Sequence, residues 1–306
     1  VAKFLIAPDL HTTETGPSSR SDDVLRTQIK VLSHYALKYP DIPLLLPGDV
    51  LDKRRQGNTA LVRLGKLIRK RKGKTVAVPG QHDLRGHNLD TYCTESDLAV
   101  LEGLVGNLKV LGDGESITLD GVKITGYPWG SKAWDDLVEG RTSHSGIGIV
   151  HASVCDSAWP EALDITKTHI KGTGWLFFGD IHKGFLPTRP KGNKNIMCAG
   201  GGVLTPMKKN EMAFSCNFFL LDTTAKSIKV LPIPWEDYGV AFHEDVDDYA
   251  VSSYVSSHFI EQLKEIPESA VKDPTDMGKF LKSLAKELGI GKSAVTKLLS
   301  EIPDGQ

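Results

Sequence analysis

The chain has 306 residues, of which 40% are hydrophobic and 25% charged, and its formal net charge is −1. This suits one large globular domain, or one domain with an appendage. It excludes a global electrostatic pull toward nucleic acid, although a local basic patch or a partner subunit can still supply one. No apolar run approaches a membrane span, so no membrane association is expected. The four cysteines, Cys93, Cys155, Cys198 and Cys216, form no CxxC pair. That predicts a reduced, cytoplasmic setting with no disulfide framework.

The N-terminal run Val1-Ala2-Lys3-Phe4-Leu5-Ile6-Ala7 is too short for a signal-peptide core and reads as a buried strand. Residues 22–39 predict a helix with Val24, Leu25, Ile29, Leu32 and Leu37 on one face. Residues 42–46 predict a second strand leading into Gly48-Asp49, and 59–71 a second helix. A third strand at 75–78 leads into Gly80. This β-loop-α rhythm argues for an α/β domain, in which ligands bind at the loops beyond the strand ends. After Leu108 the texture turns to short strands near 110–111, 115–119, 122–126, 147–150, 175–178, 196–198, 218–221 and 228–231. They suggest a second sheet packed on the first. Beyond Pro232-Ile233-Pro234 helical spacing takes over, which sets an expected boundary near residue 240 between a domain over 1–240 and a helical region over 241–306.

Polar motifs stand at the predicted strand ends. Asp9 and His11 lie two apart, so extended geometry would turn both side chains one way, as a chelating pair. Asp49 follows Gly48, and its two oxygens can bridge two metals, with Asp52 behind it. In Gly80-Gln81-His82-Asp83 the carboxamide is a hard neutral ligand and the histidine can act as a general acid. A hydrogen bond from Asp52 would fix the His82 ring. His151 ends the 147–150 run, and Asp180 and His182 end the 175–178 run. Taken singly, each motif is also an ordinary polar turn. Five of them in one order, each at a strand end, point to a two-metal site. Such a site activates water and stabilises the attacking and leaving oxygens of phosphoryl transfer.

The series Asp9-x-His11, Gly48-Asp49-x-x-Asp52, Gly80-Gln81-His82-Asp83, His151 and Gly179-Asp180-Ile181-His182 resembles the motif set of the calcineurin-like metallophosphoesterases. Pro79 to Leu84, His87-Asn88 and Gly126-Tyr127-Pro128-Trp129-Gly130 bring it nearer to the SbcD-type DNA exonuclease subunits, in their phage-encoded branch. The resemblance implies an α-β-β-α sandwich of two sheets flanked by helices. It implies two divalent cations, manganese or magnesium. The first would take Asp9, His11, Asp49 and His182, and the second Asp49, Gln81, His151 and Asp180. His82 would be the catalytic acid, oriented by Asp52. Two residues depart from the broad pattern: Gln81 stands where most members have Asn, and Asp180 where most have His. Three carboxylates against two divalent cations leave a single positive charge, and hard oxygen ligands favour manganese or magnesium over zinc.

The function so implied is DNA end processing or recombination by metal-activated hydrolysis of phosphodiesters. It would be carried out with an SbcC-like ATPase, as a homodimer, in the cytoplasm (the host's, for a phage-encoded protein). Lys53, Arg54 and Arg55 can contact DNA phosphates or form a solvated basic loop, and His87 and Asn88 can touch substrate. The Gly200-Gly201-Gly202 run reads as a tight turn or a close approach to ligand. Trp129, Trp159 and Trp175 read as core more readily than as base-stacking platforms. Residues 288–295 have a helix-turn-helix look. Two rival functions use the same residues: a phosphatase or small-nucleotide phosphodiesterase, and a non-catalytic DNA-end or ATPase-binding module.

Overall fold

The computed structural model describes residues 2–159 and 161–243. Most of the expected helical region 241–306, including the 288–295 stretch, lies outside the described residues.

Among the described residues, fourteen strands form: β1 (Lys3–Ile6), β2 (Leu44–Leu46), β3 (Thr75–Ala77), β4 (Leu108–Val110), β5 (Ser116–Leu119), β6 (Val122–Tyr127), β7 (His144–His151), β8 (Val154–Cys155), β9 (Leu163–Asp164), β10 (Gly172–Gly179), β11 (Phe185–Thr188), β12 (Ile196–Gly200), β13 (Asn217–Asp222) and β14 (Ser227–Pro232). One six-stranded sheet runs β14-β13-β1-β2-β3-β4, and a second runs β11-β12-β10-β7-β6-β5. In the first sheet β1, β2, β3 and β4 pair in parallel while the β1-β13 and β13-β14 pairs are antiparallel; in the second, β12, β10, β7 and β6 pair in parallel and the edge strands β11 and β5 are antiparallel.

The strands read as continuous apolar runs because both faces of each sheet are covered. Alternate side chains go to different layers. Phe4 and Ile6 face the inter-sheet layer with Leu45, Val76, Ile147, Ile149, Phe177 and Phe219. Their neighbours Leu5, Leu44, Leu46 and Ala77 face an outer layer. Helix α1 (Val24–Lys38) closes that layer with Val31, Leu32 and Ala36, and α2 (Asn58–Arg69) with Leu64 and Ile68. On the far side, Leu176, Phe178 and Cys198 pack on Trp134 and Leu137 of a helix over Lys132–Val138. The described residues therefore form a mixed α/β sandwich of four layers, as the motif resemblance implied.

Two expectations are corrected. The run near 110 belongs to the first sheet, where β4 pairs in parallel with β3. The last two strands also return to the first sheet, with β13 antiparallel to β1. Apolar periodicity gives a strand's faces but not its ladder partner, so neither placement was visible in the strand-rich texture after Leu108. The helix over Asp97–Leu104 was not anticipated either. The four cysteines are all free thiols, with Cys93 exposed and the others buried. Among the described residues, no helix is long and apolar enough to cross a membrane.

Candidate metal centre

The loops after β1, β2, β3, β7 and β10 meet at one edge of the sandwich. Backbone bonds join them first. Leu10 and His11 donate to the Asp49 carbonyl at 3.1 and 2.8 Å, and Asp9 donates to Gly202 at 2.9 Å. The Gly200-Gly201-Gly202 turn thus lies against the site: a side chain at Gly201 would run into the backbone of Pro8. Buried Gln28 on α1 fastens the first loop, donating to the His11 carbonyl at 2.7 Å and accepting from Thr13 N–H at 3.1 Å. The Asp83 carboxylate accepts from Gly80 and Leu51 N–H, both at 2.9 Å, and so ties the second loop to the third.

Three motif residues have left-handed backbones: His11 (φ 43°), Asp49 (φ 39°) and Asp180 (φ 82°). Such conformations are sparsely populated by L-residues and persist where the surroundings over-determine them, often at functional sites. The convergence of Asp9 and His11 therefore comes from a left-handed turn beyond β1 and not from strand alternation, which corrects the extended pair expected. The motif glycines serve packing. A Cβ at Gly80 would overlap the Asp49 carboxylate, and one at Gly179 would overlap Asp9 and the Pro47 carbonyl.

Six of the predicted residues form three overlapping groups: Asp9, His11 and His182; His11, Asp49 and His82; and Asp9, Asp49 and His151. Their ligand atoms lie within 4.8 Å of one another in each group. The proton positions follow from the partners. His182 Nδ1 lies 2.8 Å from Glu211 Oε1, and His11 Nδ1 lies 3.4 Å from Asp52 Oδ1. Each ring therefore gives its Nδ1 proton to a carboxylate and turns an Nε2 lone pair inward, leaving the two Nε2 atoms 3.1 Å apart. Likewise His151 Nδ1 donates to the Pro47 carbonyl at 2.8 Å, which turns its Nε2 toward Gln81 Oε1 at 2.6 Å. Asp9 Oδ1 and Asp49 Oδ2 are buried with no hydrogen-bond partner, and Asp49 Oδ2 sits 3.4 Å from both His11 Nε2 and His151 Nε2. Converging lone pairs and orphaned carboxylate oxygens are unfavourable without an electrophile among them. Divalent cations satisfy them, and a carboxylate behind a histidine is a usual support for a metal ligand. The residues fit the implied metals.

Electrostatics agree. Burial, with the Asp49 charge, pushes Asp9 up to about 7. Burial works against the charged form of His151 too, but Asp49, Asp9 and Asp180 outweigh it and raise the ring to about 10. Against its own burial, Asp49 is held well below the usual carboxylate range by His151 and His11. A proton on His151 thus substitutes for positive charge that a cation would provide.

The remaining predicted residues fall around this core. Gln81 presents its oxygen inward because its amide nitrogen donates to Asp180 Oδ1 at 2.6 Å. Both Asp180 oxygens are engaged, one by Gln81 and the other by Ser153 Oγ, while its N–H donates to Asp9 Oδ2 at 2.6 Å. Asp180 here positions Gln81 and Asp9. Asp52 differs from expectation: its backbone carbonyl accepts from His82 Nδ1 at 2.8 Å, and its carboxylate faces His11. Arg54 and Arg55 are paired with Glu95 and Asp97 at 3.1 and 3.3 Å. His87 is exposed on the rim, and Asn88 accepts from Asp90 N–H at 3.0 Å. Trp159 is half-buried, with Lys183 over its face at 5.1 Å. Three supporting residues went unassigned in the sequence. Glu211 and Gln28 lie far from any motif and left no signal. Asp83 closes the third motif, but nothing in the local sequence marks it as the carboxylate that ties two loops together.

No family model matches the sequence, and no curated protein matches it. Among solved structures, Haemophilus influenzae NAD nucleotidase superposes with a TM-score of 0.43 and 12% sequence identity, over 83% of this chain and 55% of that one. The chain thus spans about half the length of that protein.

Proposed function

We propose that this chain is a two-metal DNA nuclease subunit of SbcD type, manganese- or magnesium-dependent, that hydrolyses phosphodiesters and works with an SbcC-like ATPase. One observation carries the metal-dependent part. His11 and His182 each commit Nδ1 to a carboxylate and bring their Nε2 atoms to 3.1 Å beside the orphaned oxygens of Asp9 and Asp49. When bound, divalent cations supply Lewis acidity and activate water for in-line attack on phosphorus. The chain's own residues supply the rest. Asp49 spans the two halves of the site. Gln81, held by Asp180, adds a neutral oxygen. His82 gives its Nδ1 proton to the Asp52 carbonyl, so a proton for the leaving oxygen would pass through Nε2. The DNA specificity, the homodimer and the ATPase partner rest only on the resemblance to SbcD-type subunits carried by Pro79 to Leu84, His87-Asn88, Gly126-Tyr127-Pro128-Trp129-Gly130 and Gly179-Asp180-Ile181-His182.

The test is purified protein with manganese on linear duplex and single-stranded DNA, beside a phosphomonoester. Nucleotide release from DNA, abolished in His82→Ala, is expected. Turnover of the phosphomonoester alone would overturn the nuclease reading in favour of a phosphatase.

A further inference from the structure

The loop after β6 brings an aromatic side chain to the rim of the metal centre. Trp129 is half-buried. Its ring centroid lies 6.2 Å from that of His151, edge to face at 62°, and 6.3 Å from that of His87 at 81°. The loop is rigidly placed. Trp129 N–H donates to the Pro79 carbonyl at 3.0 Å, which ties it to the loop that carries Gln81 and His82. Just beyond, Ser131 caps the following helix, its Oγ accepting from Trp134 N–H at 3.0 Å. On the other flank, Gly86 (φ 52°) and His87 (φ 55°) are consecutive left-handed residues. These two residues turn the chain so that the His87 ring stands beside the Trp129 indole. His87 is exposed there.

Trp129 is half-buried and borders both a candidate metal ligand, His151, and an exposed imidazole, His87. We infer that Trp129, flanked by His87, is a stacking shelf for the nucleobase next to the scissile phosphate, and so selects nucleic acid over phosphoesters that lack a base. The inference rests on the proposed phosphodiesterase activity. An indole face accepts every base, so the shelf would favour nucleotides without reading sequence.

The experiment compares two synthetic phosphodiesters of identical backbone, one with a base beside the scissile phosphate and one abasic there, using the full manganese-loaded chain. The wild type should prefer the base-bearing substrate in kcat/KM. Trp129→Ala should lower that preference about tenfold or more, mainly through KM, and Trp129→Phe should retain most of it. An unchanged preference in Trp129→Ala, with weaker manganese binding by calorimetry, would overturn the shelf and make Trp129 a cover over His151. Should the wild type cleave neither substrate, the phosphodiesterase reading fails on its own, and the shelf is judged by binding. Base-bearing oligonucleotide should quench tryptophan fluorescence more than its abasic counterpart, and that difference should vanish in Trp129→Phe. Equal quenching by both would overturn the inference.

Discussion

Glu211 offers a sharp test of how the centre is built, because it touches a proposed ligand from behind. It is buried, with Oε1 2.8 Å from His182 Nδ1 and Oε2 accepting from Met207 and Lys208 N–H at 2.7 and 3.1 Å. Burial opposes its ionisation, but the His182 bond and charge prevail and hold it at about 2. Glu211→Gln keeps the volume but cannot serve all three donors, since one end of the amide is itself a donor. Either His182 loses its acceptor and can move its proton to Nε2, or the 207–208 backbone loses its own. The lost bond is charge-assisted and worth about 1.5–3 kcal/mol. At about 1.4 kcal/mol per tenfold, manganese affinity should fall about 10- to 100-fold, the usual range for residues behind a metal ligand. Calorimetric titration of chelator-stripped protein measures this, with thermal melting to show that the variant remains folded. If Glu211→Gln binds manganese within about twofold of wild type while His182→Ala does not, the carboxylate does not set the His182 ring and the reasoning fails.

Other outcomes follow from the same geometry. His82→Ala should abolish cleavage while leaving manganese bound, because Asp9, His11, Asp49, His151 and His182 remain as converging donors; loss of a metal in the same titration would make His82 a ligand instead. Gly179→Ala drives a Cβ into the Asp9 carboxylate and the Pro47 carbonyl, so it should cost about 1–3 kcal/mol in denaturant unfolding, and an unchanged midpoint would refute the tight packing. Without metal, stability should fall as pH rises from about 4 to 7. Burial raises Asp9 and Asp83 to about 7 from an unfolded value of 3.8, so across that window the folded state binds more protons. The His151 contribution, full below 6.5, is lost as pH climbs through about 10. The depressed Asp49 and Glu211 act oppositely and give up their stabilisation only in acid. Melting temperatures in chelator should therefore be higher near pH 5 than near pH 8, and manganese should narrow the gap; a flat chelator profile would count against the buried carboxylates.

Much of the fold was legible because local physics determines it. The 3.6-residue spacing of Val24, Leu25 and Leu32 marked α1, and Asp23 caps it by accepting from Arg26 N–H. The apolar runs at 4–7, 42–46 and 75–78 marked strands buried on both faces. Their polar ends named the site: Asp9, His11, Asp49, His82, His151 and His182 do converge. What the sequence could not carry is pairing over distance. No local pattern says that β13 lies against β1, or that β4 closes the first sheet. Nor does one say that Glu211 lies behind His182 or that Gln28 holds the turn at His11. Residue type and spacing therefore determined the donors on offer, since strand ends and small glycines are written locally. Tertiary packing alone decided which nitrogen of each histidine points inward, that Asp180 steadies Gln81, and that Asp52 meets His82 through its carbonyl. Those roles depend on orientations that only long-range contacts impose.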